Sequence, residues 1–180
     1  MKGSLLTCTL LALIAGPAAA EEKCVPPPGI NVHAVEAKAA RGCFWRGAAP
    51  RLDTLAALAK EAEVRGRGVT LVDLRHPDSA DDRSGKDQRL SPTAEAQEAG
   101  RLHLRYVSIN AMDASLVDVL RTALRRGGVY MHCMYGVNRT GFAAARYSRA
   151  EKVQIGRAGL GERDWRDGDA FQSRLEQPPR

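Results

Sequence analysis

Short apolar runs typical of β-strands alternate with segments of helical periodicity, and this alternation most constrains the fold. Three runs have strand character, and they cover residues 69–74 (VTLVDL), 104–109 (LRYVSI) and 129–132 (VYMH). Four segments have helical character, and they cover residues 50–66, 91–100, 116–126 and 140–149. Short connections between such elements imply right-handed crossovers. We therefore predict a single α/β domain with a mainly parallel central sheet flanked by helices.

The first twenty residues have the pattern of a secretory signal. Lys2 precedes an apolar run at 5–14, and small residues at 17–20 end before two glutamates. The alternative is a membrane anchor, but the run is shorter than the ~20 residues that span a bilayer. We expect cleavage after Ala20, export to the periplasm or the medium, and no stable membrane insertion afterwards. Residues 21–180 then form the domain, with a core at about 30–150 and an undetermined tail at 151–180.

The positive charge of the chain does not favour a nucleic-acid partner. The formal net charge is +6, and arginines are scattered along the chain with no dense basic block. Aromatic residues make up 5% of the sequence, which is too few for a platform that stacks bases.

Three cysteines remain after the predicted cleavage, at positions 24, 43 and 133. Exported proteins meet an oxidising compartment, where a pair of thiols tends to form a disulfide. If Cys133 is reactive it has to stay unpaired. The hypothesis that follows is a disulfide between Cys24 and Cys43.

The segment HCMYGVNRTG, residues 132–141, contains the residues that we predict to be reactive. Cys133 follows the third apolar run directly, and Arg139 stands six positions later, at the start of an alanine-rich helical segment. A loop between a strand and a helix turns backbone N–H groups inward, which binds a phosphate dianion and stabilises a thiolate. Free cysteine has a pKa of about 8.5, and such surroundings lower it to about 3.5–7.5. Arg139 offers a planar fork to two phosphoryl oxygens, and Gly136 permits close backbone approach.

This segment resembles the signature of the cysteine-dependent protein tyrosine and dual-specificity phosphatases: His-Cys, five residues, Arg, then Ser or Thr. Three upstream segments are similar to parts of the compact bacterial exported dual-specificity-like branch: CFWRGAAPR, VTLVDLR and LRYVSINAMDAS. The resemblance covers about residues 30–150. It implies the fold of that family and hydrolysis of phosphomonoesters through a cysteinyl-phosphate intermediate, with no metal or cofactor.

The motif also assigns individual roles. Cys133 is the nucleophile, Arg139 binds the phosphoryl group, Thr140 stabilises the sulfur as a leaving group, and His132 orients the loop. The expected substrate-binding residues are those of the loop, namely Met134, Tyr135, Gly136, Val137, Asn138 and Arg139.

The resemblance places a general acid at Asp113, which would protonate the leaving oxygen. The competing interpretation is that Asp113 or Ser115 caps the helix that begins at Leu116. Asp73, at the end of a buried strand, is interpreted as a structural hydrogen-bonding residue. Arg46 and Arg75 either bind a second anionic group near the site or are solvated.

We expect a monomer that acts on a phosphorylated protein or a small phosphoester. Three alternatives stay open, and they are a non-catalytic module that binds phosphorylated ligands, a rhodanese-type sulfurtransferase and an RNA 5′-triphosphatase. The Cys133-to-Arg139 interval has the phosphatase length rather than the shorter rhodanese one, and export disfavours an RNA substrate. The loop contains no lysine, so nothing in it favours highly charged inositol phosphates.

Overall fold

Five strands form one sheet between two layers of helices in the computed structural model, which describes residues 24–35, 42–75 and 89–152. The strands are β1 (His33–Val35), β2 (Phe44–Ala48), β3 (Gly68–Asp73), β4 (Arg105–Ser108) and β5 (Gly127–Cys133). The helices are α1 (Leu52–Arg65), α2 (Pro92–Arg101), α3 (Leu116–Arg126) and α4 (Asn138–Glu151). The predicted signal peptide and the tail from residue 153 lie outside the described residues.

The sheet is mainly parallel, as the alternating pattern predicts. Its strand order is β1-β2-β5-β3-β4, and only β1 pairs antiparallel among the described strands. The central strand β5 is buried along its whole length, as expected for a strand covered on both faces. The predicted α/β class is therefore confirmed. The structure also contains strands β1 and β2, which the sequence pattern did not predict, since it indicated no strand before residue 69.

Local sequence explains where several helices begin and end. Ser91 caps α2 by accepting a hydrogen bond from the Ala94 amide, and Pro92 occupies the first helical position. Helix α1 ends at Gly66, whose φ of 58° lies in the left-handed region that favours glycine. Helix α3 carries Arg125 and Arg126 in its last turn, where positive charge interacts favourably with the helix dipole.

Two apolar clusters lie on opposite faces of the sheet. Leucines of α3 and aromatic residues of α4 pack on one face against Val129 and Met131 of β5. Leucines of α1 and Ala99 of α2 pack on the other face, where Tyr130 of β5 lies. Alternating side chains of β5 thus join both cores, which fixes the position of its carboxyl end. No helix among the described residues is both long and apolar enough to cross a bilayer.

Candidate active site

Cys133 is the last residue of β5 and lies at the carboxyl edge of the parallel strands. Its register partner on β2 is Ala48, and its neighbour His132 is paired with Asp73 on β3. Ligands of open α/β sheets bind at this edge, beyond the ends of the strands. The chain then forms a loop over residues 134–137 and enters α4 at Asn138.

Gly136 allows this loop to pass close to the end of β2. Its φ is +72°, and a Cβ built there would lie 2.4 Å from the backbone nitrogen of Ala48. A larger residue would be strained in the left-handed conformation and would clash with the backbone of β2, so both features favour glycine. The loop is therefore seated directly against the strand that neighbours β5.

The first three carbonyl oxygens of the loop accept hydrogen bonds from side chains outside it, and the fourth accepts the first hydrogen bond of α4. Met134 O accepts from Arg89 Nη1 at 2.9 Å, and Tyr135 O accepts from Asn31 Nδ2 at 2.9 Å. Gly136 O accepts from Arg46 Nη1 at 3.1 Å, and Val137 O accepts from the Gly141 amide at 2.9 Å. The carbonyls of residues 134–136 are thus held toward the scaffold, and that of Val137 is held along α4.

This arrangement directs the N–H groups of the loop to the side opposite the carbonyls. In a trans peptide the C=O and N–H groups point in opposite directions, and the described residues contain no cis peptide bond. The N–H groups of residues 135–138 consequently face away from the donors that hold the carbonyls. The first N–H groups of α4 have no acceptor within the helix and add to the same positive end. The loop and the start of the helix are thus suited to present several donors on one side, and their role in binding phosphate stays a prediction.

The sulfur of Cys133 lies at this positive end. Its distance to the hydroxyl oxygen of Thr140, in the first turn of α4, is 4.0 Å. The Thr140 hydroxyl also donates to Val137 O at 3.3 Å, so it can rotate between this carbonyl and the Cys133 sulfur as acceptors. Cys133 is a free cysteine with 5% of its surface exposed. A thiolate here would be stabilised by the helix dipole and by the loop amides.

Arg139 occupies the second position of α4 and is half-buried. Within residues 24–35, 42–75 and 89–152, no carboxylate forms an ion pair with it. A half-buried guanidinium beside a concave set of N–H groups is suited to binding a doubly charged oxyanion.

The remaining loop side chains differ in exposure. Tyr135 is 50% exposed, and the guanidinium of Arg89 lies 5.1 Å from its ring centroid. Met134 and Val137 are half-buried, and Asn138 is exposed. Tyr135 therefore presents an aromatic surface to solvent, two positions after the cysteine.

A fully buried ionic cluster adjoins the end of β5. Nε2 of His132 lies 2.7 Å from Oε1 of Glu95 on α2, and its Nδ1 lies 3.8 Å from Oδ1 of Asp73. The guanidinium of Arg75 bridges the two carboxylates, at 2.7 Å from Asp73 and 2.5 Å from Glu95. Tyr106 donates to Asp73 at 2.7 Å. The structural role expected of Asp73 agrees with these contacts.

The cluster corrects the interpretation of two arginines. Arg75 is 2% exposed and paired with buried carboxylates, and Arg46 is fully buried and supports the loop carbonyl of Gly136. Neither residue is solvated. Both guanidinium groups are engaged by the protein itself, which leaves no evidence that they bind a second anionic group.

The charges of the cluster are mutually compensating. Burial alone would raise the pKa of Asp73, but the charge of His132 and the contacts with Arg75 and Tyr106 hold this pKa below its usual value. One ligand atom each of Asp73, Glu95 and His132 lies within 4.8 Å of the others, a spacing that could hold a metal ion. The guanidinium of Arg75 already supplies the positive charge between these carboxylates, so we interpret the group as an ion-pair network.

Asp113 is exposed and closes a turn just before α3, whose N-cap residue Ser115 makes no side-chain capping hydrogen bond. Its Oδ1 accepts hydrogen bonds from the Ser115 amide at 2.8 Å and from the Ser115 hydroxyl at 2.7 Å. These bonds lower the pKa of Asp113, because they stabilise the charged carboxylate. A general acid needs a raised pKa instead, so that it carries a proton before the reaction. The acid role stays a prediction, and it requires the carboxylate to leave Ser115.

Cys24 and Cys43 are joined by a disulfide with an S–S distance of 2.06 Å. The segment from Cys24 to Asn31 is attached to the rest of the fold at several points. Pro28 O accepts from the Thr54 hydroxyl at 2.7 Å, and Ile30 O accepts from the Ala48 amide at 3.0 Å. Because Asn31 supports Tyr135 O, the disulfide anchors a segment that contacts the loop.

Comparison with solved structures finds several chains that are similar to this one. TpbA from P. aeruginosa shares 27% identity over 71% of this chain and 77% of its own, with a TM-score of 0.44. A variant of TpbA in complex with pTyr gives the same identity and TM-score, over 71% and 76% of the two chains. Protein tyrosine phosphatases are among the solved structures that this chain resembles. One of them, TcPTP1 from Trypanosoma cruzi, shares 12% identity over 83% and 73% of the two chains, with a TM-score of 0.44. No family model and no curated protein matches the chain.

Three residues that support the site were missed by sequence reasoning. Glu95 contacts His132, whereas Asn31 and Arg89 each donate to a loop carbonyl. Glu95 carried a weak signal, because it is four positions before the small apolar Ala99 on the buried side of α2. Asn31 and Arg89 lie in irregular segments, where periodicity gives no information.

Proposed function

We propose that the protein is a cysteine-dependent phosphatase that hydrolyses phosphomonoesters through a cysteinyl-phosphate intermediate. The observation that carries this proposal is the anchoring of three successive loop carbonyls by side chains outside the loop, next to a free cysteine. That anchoring turns the loop amides toward one point, at the N-terminus of α4. An electropositive hollow with a thiolate at its centre attracts a phosphate dianion and attacks it.

The proposed reaction has two steps. The Cys133 thiolate attacks phosphorus, an S–P bond forms, and the ester O–P bond breaks as the leaving oxygen takes a proton from Asp113. Water then attacks the cysteinyl phosphate, loses a proton to Asp113, and releases inorganic phosphate with the thiolate restored. Loop amides and Arg139 stabilise the equatorial oxygens in both steps. The Thr140 hydroxyl donates to the sulfur as it leaves in the second step.

We propose aryl phosphates, with protein phosphotyrosine as the physiological form, as the preferred substrates. Tyr135 is a half-exposed aromatic residue on the loop itself, and Arg89 lies over its ring. Aromatic rings pack favourably against one another, so a phenyl ester gains a contact that an alkyl ester lacks. A dual-specificity activity toward phosphoserine and phosphothreonine would follow if this contact contributes little.

Hydrolysis of p-nitrophenyl phosphate by residues 21–180 tests the proposed reaction. Wild type should turn over, Cys133→Ser should be inactive, and Arg139→Lys should lose about 10²–10³-fold in kcat, the usual cost of removing one transition-state donor. Cys133→Ser should still bind phosphotyrosyl peptide, because its loop is unchanged. Absence of turnover by folded wild type would refute the proposal. Turnover of thiosulfate and cyanide would instead identify a sulfurtransferase.

The contacts of Asp113 with Ser115, which favour its charged form, support a second candidate, a module that binds phosphorylated ligands without hydrolysing them. Both functions use the same hollow and Arg139. They differ in one result, because a binding module holds the phosphopeptide in the wild-type protein without releasing phosphate.

We further propose that the protein is exported. The Cys24–Cys43 disulfide supports this location, since such bonds persist in oxidising compartments. Fractionation of cells should recover a chain that begins at Glu21 outside the cytoplasm. A cytoplasmic chain that retains residues 1–20 would contradict the proposal.

A further inference from the structure

The loop that joins β4 to α3, residues 109–115, is tied to helix α4 by the side chain of Arg146. Nη1 of Arg146 donates to the carbonyl oxygen of Ala111 at 2.9 Å and to that of Asp113 at 3.0 Å. Both carbonyls belong to a compact turn, in which the Asp113 amide donates to Asn110 O at 2.9 Å. Arg146 therefore fixes the backbone of this turn relative to α4.

Arg146 lies on the same side of α4 as Arg139, which the proposed reaction uses to bind the phosphoryl group. The two residues are seven positions apart, which is close to two helical turns and about 10 Å along the axis. Helical side chains lean toward the N-terminus of their helix. The guanidinium of Arg146 accordingly lies 5.8 Å from the ring centroid of Phe142, one turn closer to the cysteine loop. The 109–115 loop is thus held on the side of α4 from which Arg139 projects.

Packing places the same loop on the face of the sheet to which Cys133 belongs. Ala111 is 2% exposed and lies in the apolar cluster that includes Cys133 and Phe142. Asp113, two positions later, is exposed. The loop is therefore anchored at one residue in the core that contains the proposed nucleophile, and it presents a carboxylate to solvent at another.

The contacts of Arg146 do not involve the carboxylate of Asp113. Arg146 donates to main-chain oxygens, whereas the carboxylate accepts hydrogen bonds from Ser115. Rotation of the carboxylate away from Ser115, which its proposed role as an acid requires, therefore breaks neither contact with Arg146. Because the backbone stays in place while the side chain rotates, the carboxylate remains confined to a small volume, which favours a productive orientation.

We infer that Arg146 is a positioning residue for the proposed reaction, because it holds the backbone of Asp113 against α4 while the carboxylate protonates the leaving oxygen. This inference rests on the proposed function and adds to it a residue outside the cysteine loop. Helix α4 then fixes both parts of the site, since it carries Arg139 in its first turn and Arg146 two turns later. The alternative is a purely structural role, in which Arg146 only joins the start of α3 to α4.

The dependence of kcat on the leaving group separates these two roles. A positioned acid contributes about 10²–10⁴-fold, and it matters most when the leaving group is poor. Arg146→Met keeps an apolar stem near Phe142 but removes the donor of both hydrogen bonds. Its kcat toward phenyl phosphate should fall about tenfold more than its kcat toward p-nitrophenyl phosphate. KM should change little, because Arg146 is not among the residues that we propose to bind phosphate.

Three further variants control this measurement. Arg149→Met is the matched control, because Arg149 is an exposed arginine in the last turn of the same helix, and it should leave the ratio of the two kcat values unchanged. Arg146→Lys keeps a positively charged donor and should give a ratio between those of wild type and Arg146→Met. In an Asp113→Asn background, Arg146→Met should cause no further change of the ratio, because its effect passes through Asp113.

Hydrogen exchange tests the contact itself without a phosphoester. In Arg146→Met, the amides of residues 112–115 should exchange about tenfold faster than in wild type, while those of residues 134–137 keep their rates. An unchanged kcat ratio, including an equal fall for both substrates, or unchanged exchange at residues 112–115 would overturn the inference. Absence of hydrolysis by wild type would refute the proposed function and with it the role in the reaction, whereas exchange would still show whether Arg146 holds the loop.

Discussion

The carbonyl oxygen of Gly136 accepts a 3.1 Å hydrogen bond from Nη1 of Arg46, a fully buried side chain of β2. The bond joins the middle of the cysteine loop to the strand beside β5. It explains how a loop between a strand and a helix keeps its amides in one orientation, since the loop is hydrogen-bonded to the sheet.

Replacement of Arg46 by methionine should impair both stability and turnover. The variant keeps an apolar stem but leaves the buried carbonyl without this donor, at a cost of about 1–3 kcal/mol. Urea unfolding and kcat toward p-nitrophenyl phosphate measure the two effects. Arg51→Met is the control, because the Arg51–Asp53 pair is partly exposed and contributes about 0–1 kcal/mol. Full activity in Arg46→Met would show that the loop is positioned by other contacts.

Gly136→Ala should abolish most activity. The added Cβ would lie 2.4 Å from backbone atoms of β2, at a φ of +72°, so the loop has to move away from the strand. Gly100→Ala is a suitable control, since a Cβ at Gly100 in α2 meets nothing within 4 Å. Alanine favours a helix over glycine by about 1 kcal/mol, and the control should therefore melt slightly higher. Comparable kcat values for both variants would contradict this view of the loop.

Loss of the Cys24–Cys43 disulfide should destabilise the domain and weaken the loop. Cross-linking residues 19 positions apart restricts the unfolded chain and contributes about 3 kcal/mol. Thermal unfolding of Cys24→Ser/Cys43→Ser against wild type measures the loss. The same substitutions in a Cys133→Ser background exclude interference from the free thiol. An unchanged Tm would show that the hydrogen bonds of Pro28 and Ile30 suffice to hold the segment.

The two roles of Asp113 can be separated by Asp113→Asn. Asparagine accepts the same turn hydrogen bonds as aspartate but donates no acidic proton, so stability should persist while kcat toward alkyl phosphates falls about 10²-fold or more. Ser115→Ala removes the hydroxyl that donates to Asp113 but keeps the donating amide, and it should retain kcat. Undiminished turnover of alkyl phosphates by Asp113→Asn would leave the residue with a structural role in the turn alone.

The turn contacts of Asp113 also have a defined pH dependence. The Ser115 contacts lower the pKa of Asp113 below its usual 3.8. A group with a lowered folded-state pKa stabilises the protein above its unfolded pKa and loses that contribution as pH falls through the folded value. The difference in thermal stability between wild type and Asp113→Ala should therefore be full above pH 3.8 and should shrink only as the pH falls below that value.

The sequence predicts the parts of this molecule that depend on local pattern. Strands β3, β4 and β5 and all four helices follow from periodicity, and the cysteine loop follows from its motif. Strand β2 was missed because FWRGA contains an arginine and a glycine, and the burial of the arginine depends on partners distant in sequence, among them the carbonyl of Gly136. Glu95 was missed for a similar reason. A glutamate inside a helix is normally solvated, and its burial depends on Arg75 and His132, which are distant in sequence.

Trapping of the covalent intermediate tests the central claim most directly. Residues 21–180 should be mixed with p-nitrophenyl phosphate, quenched within the first turnovers, digested and analysed by mass spectrometry. We predict one added phosphoryl group on the peptide that contains Cys133, and none in Cys133→Ser. Turnover without a phosphorylated Cys133, or with phosphate attached to another residue, would contradict the account.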